Sequence, residues 1–312
     1  MTNRIAKTLS LAIIFLSLYQ SPFSAQAQYS TQDAENFAAI FLKQEKMTSI
    51  ALDKNYLSVG TEGIDLFTPL RIKTADNMMR AISKAEADYS KAIEICLPAA
   101  QEFQSEAEEL LRKSRELLNV DFETPVYILF GANNSGGTAN RKGLAIGLEV
   151  LCKFAENEAE AKNLLRWYTY HEVVHVYQAM IRSKPKPRAK NSLLRQALHE
   201  GFADLVSSFF LTDTGKAEME RSSYGKTNEK KLWKDFSAAM HDESLGDWMY
   251  TKPSSDQPRD MGYWIGKQIS RHYYENSLDK ARALKELLIL SNPDRILKKS
   301  KYASFVHSLP SR

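Results

Sequence analysis

The chain has 312 residues and a formal net charge of +4, from 42 basic and 38 acidic side chains. Removal of a 27-residue leader would leave 285 residues, and the loss of Arg4 and Lys7 would take the charge to +2. That balance excludes an electrostatic nucleic-acid binder, and no later segment approaches the roughly 20 apolar residues of a membrane-spanning helix.

Arg4 and Lys7 precede an apolar run from Leu9 to Tyr19, and Ala25-Gln26-Ala27 supplies a small-x-small cleavage pattern before Gln28. This is the pattern of a secretory signal peptide, residues 1–27, so the expected location is periplasmic or secreted, in a bacterium. No cysteine follows the cleavage point, so a lipid anchor there is not indicated. Residues 28–312 read as one domain, with two lobes, 28–182 and 183–312, as the alternative. Export permits Cys96 and Cys152 to pair. The sequence leaves a disulfide and two buried thiols equally open, and neither the number nor the spacing of these cysteines suits a Cys-based zinc site.

Residues 31 to 118 read as several helices, clearest at Ala75 to Ile95 and Ala100 to Leu118. The apolar run Pro125 to Phe130 predicts a strand, followed by a turn at Asn133 to Gly137 and a second strand from Leu144 to Val150. Two such strands would flank a cleft whose sheet edge could hold an extended chain by main-chain hydrogen bonds. The Gly136-Gly137 pair fits either an ordinary hairpin loop or a close backbone approach.

From Glu158 to Arg182 the chain lacks Gly and Pro, is rich in helix formers, and repeats apolar residues at Leu164, Leu165, Tyr168, Val174 and Tyr177. It predicts a helix with Asn157 as N-cap. On it, His171-Glu172-Val173-Val174-His175 sets two imidazoles roughly 40° apart on one face, where both can hold a single zinc ion. Glu172 lies about 100° around from His171, placed to reach a metal-bound water without binding the metal. Gln178 returns to the angle of His171 and is a candidate hydrogen-bonding partner for a ligand. The run Arg182 to Lys190 reads either as a basic rim attracting acidic substrate or as a solvated connector.

Asn191 to Leu211 predicts a second helix, in which Leu194, Leu198, Phe202, Leu205 and Phe209 form an apolar stripe. Between Gln196 and Thr212 only Glu200 and Asp204 carry a full charge. Two buried carboxylates four residues apart call for a cation and a hydrogen-bonded histidine. Glu200 is the candidate third ligand, and Asp204 the acceptor for the far nitrogen of a ligand histidine. Gly201 and Ala203 would let the two helices approach closely. The chain from Asn228 onward reads as helical, with a Pro-containing loop at Lys252 to Arg259. Tyr263, His241 and His272 are candidates to hydrogen-bond an oxyanion.

HEVVH followed by Glu200-Gly201-Phe202-Ala203-Asp204 resembles the gluzincin clan of zinc metallopeptidases, in which a second helix supplies a Glu ligand with an Asp four residues later. More narrowly, Asn134 to Thr138, Gly143 to Gly147 and Gly262 to Gly266 resemble a bacterial family of predicted zinc-dependent proteases of unknown role. The likeness spans about residues 120 to 275. It implies an α+β, predominantly helical, zincin-like domain with a small sheet. It also implies a metalloprotease, a zinc hydrolase acting on a peptide or protein substrate.

In that reading His171, His175 and Glu200 hold Zn2+ and Glu172 is the catalytic base. A di-iron bundle would need a second Glu-x-x-His pair, and the sequence has none. His199 is an alternative third ligand, angled about 100° away from Glu200 and with Ala203 rather than an acid one turn on. The alternative from another class is a non-catalytic, zinc-containing envelope binding or assembly protein, which would keep the ligands but would not need Glu172.

Overall fold

The computed structural model describes residues 29–43, 47–182, 192–212, 215–251 and 257–310. The leader segment, and the basic run beyond Arg182, lie outside them.

A four-stranded sheet runs in the order β1-β2-β4-β3, with β1 (Tyr29–Ser30), β2 (Val126–Leu129), β3 (Gly137–Asn140) and β4 (Gly143–Gly147). β1, β2 and β4 are parallel, whereas β3 folds back antiparallel on β4 and forms the edge. Every residue of β2 and β4 is buried, so both faces are covered and the strands read as continuous apolar runs. Helices Gln32–Phe41 and Glu62–Phe67 pack on these strands, and the long helix Glu158–Ile181 packs on β3 and β4.

Helix α1 (Gln104–Leu118) ends at Asn119 in the left-handed conformation, a stop that Asn tolerates. Helix α2 (Glu158–Ile181) starts where the Asn157 side chain accepts from the Glu160 N–H at 3.0 Å. Helix α3 (Leu193–Phe210) is capped by Ser192. Helices α4 (Lys216–Thr227), α5 (Met261–Asn276) and α6 (Lys280–Ile289) complete the surroundings of the cleft. The whole is the predominantly helical α+β class expected.

Several boundaries differ from expectation. The second strand stops at Gly147, and Leu148–Leu151 turns into a short helix. The short strands β1 and β3 had no run of alternation long enough to mark them. The helix expected over Ala75 to Ile95 breaks at Ala85, and Ala92–Cys96 is π-helical. The one expected over Ala100 to Leu118 breaks at Phe103. Gly201 serves a close approach, but to α5 rather than α2: a Cβ there would strike the backbone of Gly266 and Lys267.

Cys96 and Cys152 form a disulfide, so neither retains a thiol. Elsewhere in the core, Phe37 stacks on Phe130 with ring centroids 4.5 Å apart. The Tyr56 and Tyr89 hydroxyls donate to the carbonyls of Phe130 and Gly131 at 2.6 and 2.9 Å. This aromatic cluster anchors the start of the loop that leads into β3.

Candidate metal centre

Helices α2 and α3 bring His171, His175 and Glu200 to one point. The Nε2 atoms of the two histidines stand 3.0 Å apart, and Glu200 Oε2 lies 3.3 Å from the first and 3.1 Å from the second. Each ring is fixed from behind. His171 Nδ1 donates to Asp204 Oδ1 at 2.9 Å, and His175 Nδ1 donates to Gln178 Oε1 at 2.8 Å. The amide of Gln178 is oriented by its own donation to the His199 carbonyl at 3.2 Å. With both Nδ1 atoms committed as donors, both Nε2 lone pairs face each other and a carboxylate.

Three electron-rich atoms this close repel unless a cation shares the space. Ligands about 2.0–2.1 Å from a tetrahedral ion stand about 3.3 Å apart, close to the edges of this triangle. Two imidazoles and a carboxylate also suit zinc by donor chemistry, so the residues fit that ion. Protons answer the same demand. Burial opposes a charge on His171, but Asp204 and Glu200 outweigh it and push the imidazole up to about 10. Burial likewise works against ionised Glu200, and His175 and His171 overcome it, holding the carboxyl well below its usual range.

Behind the triad, Asp204 is fully buried and 3.7 Å from the Arg221 guanidinium. Arg221 and Lys267 each pair with Glu218 at 2.8 Å. The acids of α3 and α4 therefore interlock with cations from α4 and α5, so Asp204 is braced from behind by ion pairs.

Glu172 sits beside the triad, buried, with its carboxylate against Gly137 of β3. Burial pushes its carboxyl above the ordinary value. A side chain at Gly137 would collide with Glu172, and one at Gly136 with the Tyr168 ring. The two glycines are thus a close approach of the strand to α2, one of the two readings open above.

His199 stays out of the triangle. Its Nδ1 accepts from Arg182 Nη1 at 2.8 Å, and its ring lies 4.5 Å from that of His175. Of the three oxyanion candidates, Tyr263 lines the cleft with its ring 6.2 Å from His171. His241 is exposed near Asp294, and His272 packs on Tyr302 and Phe305, so neither reaches the site.

The sequence reading missed Tyr250, whose hydroxyl donates to Glu200 Oε1 at 2.9 Å and accepts from Gln196 Nε2 at 2.7 Å. It comes from an irregular segment and holds φ of 58°, a strained value for a bulky residue that no composition signal announces. The triad opens into a cleft of about 1990 Å³.

Residues 25–304 match the family described as gliding motility protein GldB, a family of lipoproteins. The match covers most of the chain, and the chain belongs to this family. No curated protein and no solved structure matches it. The membership corrects the resemblance to gluzincins and to predicted zinc-dependent proteases. With it go the assignments as hydrolase and metalloprotease and the zinc-peptidase function with Glu172 as general base, because the family is one of gliding motility proteins and not of peptidases. The physical reason is that five residues at helical spacing set a geometry and leave open what is done there. Envelope lipoproteins are exported, which agrees with the leader reading. No helix among the described residues is long and apolar enough to cross a membrane.

Proposed function

We propose, from membership of the gliding motility protein GldB family, that this chain is a zinc-containing, non-catalytic binding protein that helps assemble the gliding machinery on the periplasmic side of the cell envelope. The observation that carries the proposal is the triangle of His171, His175 and Glu200. Its edges of 3.0 to 3.3 Å are braced from outside by Asp204, Gln178 and Tyr250. A zinc ion held there would tie α2 to α3 and offer a remaining coordination position to an oxygen or nitrogen atom of a partner protein. The edge strand β3 lies alongside. Its register turns the main-chain groups of Ala139 away from β4, available to an extended segment of that partner. In this reading Glu172 is an acceptor at the cleft wall, placed for a partner's N–H, and takes no part in hydrolysis.

The test combines metal content with motility. The purified mature chain should carry close to one zinc. Glu200→Ala should lose most of it, and Glu172→Gln should keep it. In cells lacking the native chain, Glu172→Gln should restore gliding and Glu200→Ala should not. Failure of Glu172→Gln to restore gliding, with zinc and fold intact, would count against a non-catalytic role. Full zinc in Glu200→Ala would remove the metal assignment.

A further inference from the structure

One end of the cleft gathers arginines. Arg141, just past the end of β3, donates from Nε to the Ala179 carbonyl at 2.8 Å and from Nη2 to the Arg182 carbonyl at 3.0 Å. Arg182 donates from Nε to Leu288 O at 3.2 Å and from Nη1 to His199. Arg195 donates from Nη1 to Leu290 O at 2.8 Å. All three line the cleft, and all three spend their bonds on carbonyls at helix ends or on a neutral imidazole.

Among the described residues none of the three has a carboxylate within ion-pair distance, in contrast with Arg166, Arg221 and Lys267. Arg182 Nη2 and Arg195 Nε are buried without any acceptor. Burial, and the nearby charge of Arg195, pull Arg182 down to about 10. Like charges held together with no carboxylate in contact, and only the more distant pull of Glu200 on Arg182 and of Asp294 on Arg195, raise the free energy of the empty cleft. Capping the end of α6 accounts for two of the hydrogen bonds but not for three guanidiniums converging on one cavity wall.

We propose that the Arg141–Arg182–Arg195 end of the cleft is a carboxylate subsite that receives an acidic segment of a protein partner. β3 leads from Gly137, against Glu172, to Arg141, against the end of α2. An extended segment laid along this edge therefore runs from the triad to the arginines, and acidic side chains on it meet guanidiniums that have no carboxylate in contact. The assignment of a protein partner rests on the function proposed above; the arginine subsite itself does not depend on the metal.

The probe is fluorescein-labelled hexaglutamate, with hexaglutamine as its uncharged counterpart, titrated against the full mature chain by anisotropy at low and at physiological salt. Hexaglutamate should bind and hexaglutamine should not, with affinity falling as salt rises. Arg195→Gln and Arg141→Gln should each weaken hexaglutamate by about tenfold or more, since each removes a charge-assisted hydrogen bond. Arg112→Gln, on the exposed face of α1 among Glu109 and Glu116, should leave it unchanged. Binding should survive removal of zinc by a chelator, so failure of the metal assignment and failure of this one give different results.

Four outcomes overturn the proposal. Arg195→Gln and Arg141→Gln could lower the melting temperature and leave hexaglutamate affinity intact, which makes the arginines helix caps only. Affinity could vanish with the metal, which places the carboxylates on the ion. Hexaglutamine could bind equally well. Inorganic phosphate could bind as tightly as hexaglutamate, which transfers the subsite to a phosphate-bearing ligand.

Discussion

Glu149, beside the sheet, and the Glu200–Asp204 pair of α3 are all buried carboxylates, yet the fold treats them oppositely. Glu149 is fully buried at the start of the short helix after β4. It accepts the Asn133 N–H at 3.1 Å, while its other oxygen has no partner. Burial pushes its carboxyl up to about 7. Glu200 and Asp204 are as deeply set, but His175, His171 and Arg221 around them hold both below their ordinary values. Depth alone therefore does not decide whether a buried acid is charged; the nearest cations do. One region tolerates a single acid, offset only by main-chain donors and the more distant Lys153, inside an apolar, cross-linked core. The other is a lattice of alternating charges around the triad.

The largest effect expected from breaking this contrast is in the cross-linked region. The Cys96–Cys152 bridge spans 56 residues and ends three positions after Glu149. Constraining a loop of that length in the unfolded chain stabilises the fold by about 4 kcal/mol. The Cys96→Ser/Cys152→Ser double variant should lose about that much by urea denaturation at pH 7. The charge lattice of α3, α4 and α5 and the triad beside it have no covalent tie, and the zinc proposed at the triad should keep its stoichiometry in the folded fraction. Loss of zinc in parallel with the bridge would show that the two regions do not stand independently.

Glu149 offers the next largest effect. Its pKa in the folded chain, about 7, lies above the ordinary 4.5 of the unfolded one. The native state therefore holds the proton more tightly, and stability is highest below the unfolded value. It falls as pH rises from about 4.5 through about 7, by about 3 kcal/mol in all, and is flat beyond. Glu149→Gln keeps the shape of the protonated acid and should abolish that slope, leaving the variant more stable than the parent at pH 8 and equal to it at pH 4. An unchanged slope in denaturant titrations across this range would mean that Glu149 stays ionised in the fold, and the contrast with α3 would collapse.

Much of the triad was legible because it is local. An i, i+4 histidine pair, a Glu on the next helix, which carries almost no other charge, and an Asp one turn beyond it are all consequences of helical periodicity. The structure brings those four residues and Gln178 together as the spacing implied. The N-cap at Asn157 was legible for the same reason. What escaped depends on distant contacts. The pairing of Cys96 with Cys152, the two-residue strand β1 and the approach of Gly201 to Gly266 are decided by packing across the fold. The function class escaped differently: the short motif pointed to a peptidase, whereas the match over residues 25–304 points to gliding motility. A ligand set constrains which ion fits, and many proteins with different roles share that constraint.

Tyr250 gives the smallest effect and the finest test of how the charged region is held. Glu200 presents Oε2 to the histidines because its Oε1 is held by two donors, the Tyr250 hydroxyl at 2.9 Å and the Gln196 amide at 3.1 Å. Tyr250 is 60% exposed, so its hydrogen bond competes with water and contributes about 1 kcal/mol to stability. Its orienting effect on Glu200, the proposed metal ligand, is worth more, since loss of such a partner costs about tenfold or more in metal affinity. Tyr250→Phe should therefore leave the melting curve of the zinc-free chain nearly unmoved and raise the zinc dissociation constant by about tenfold in a chelator competition. A larger fall in stability than in affinity would make Tyr250 a structural residue of its loop. An unmoved dissociation constant would mean that Gln196 alone aims Glu200, and the strained φ of Tyr250 would then serve something other than the triad.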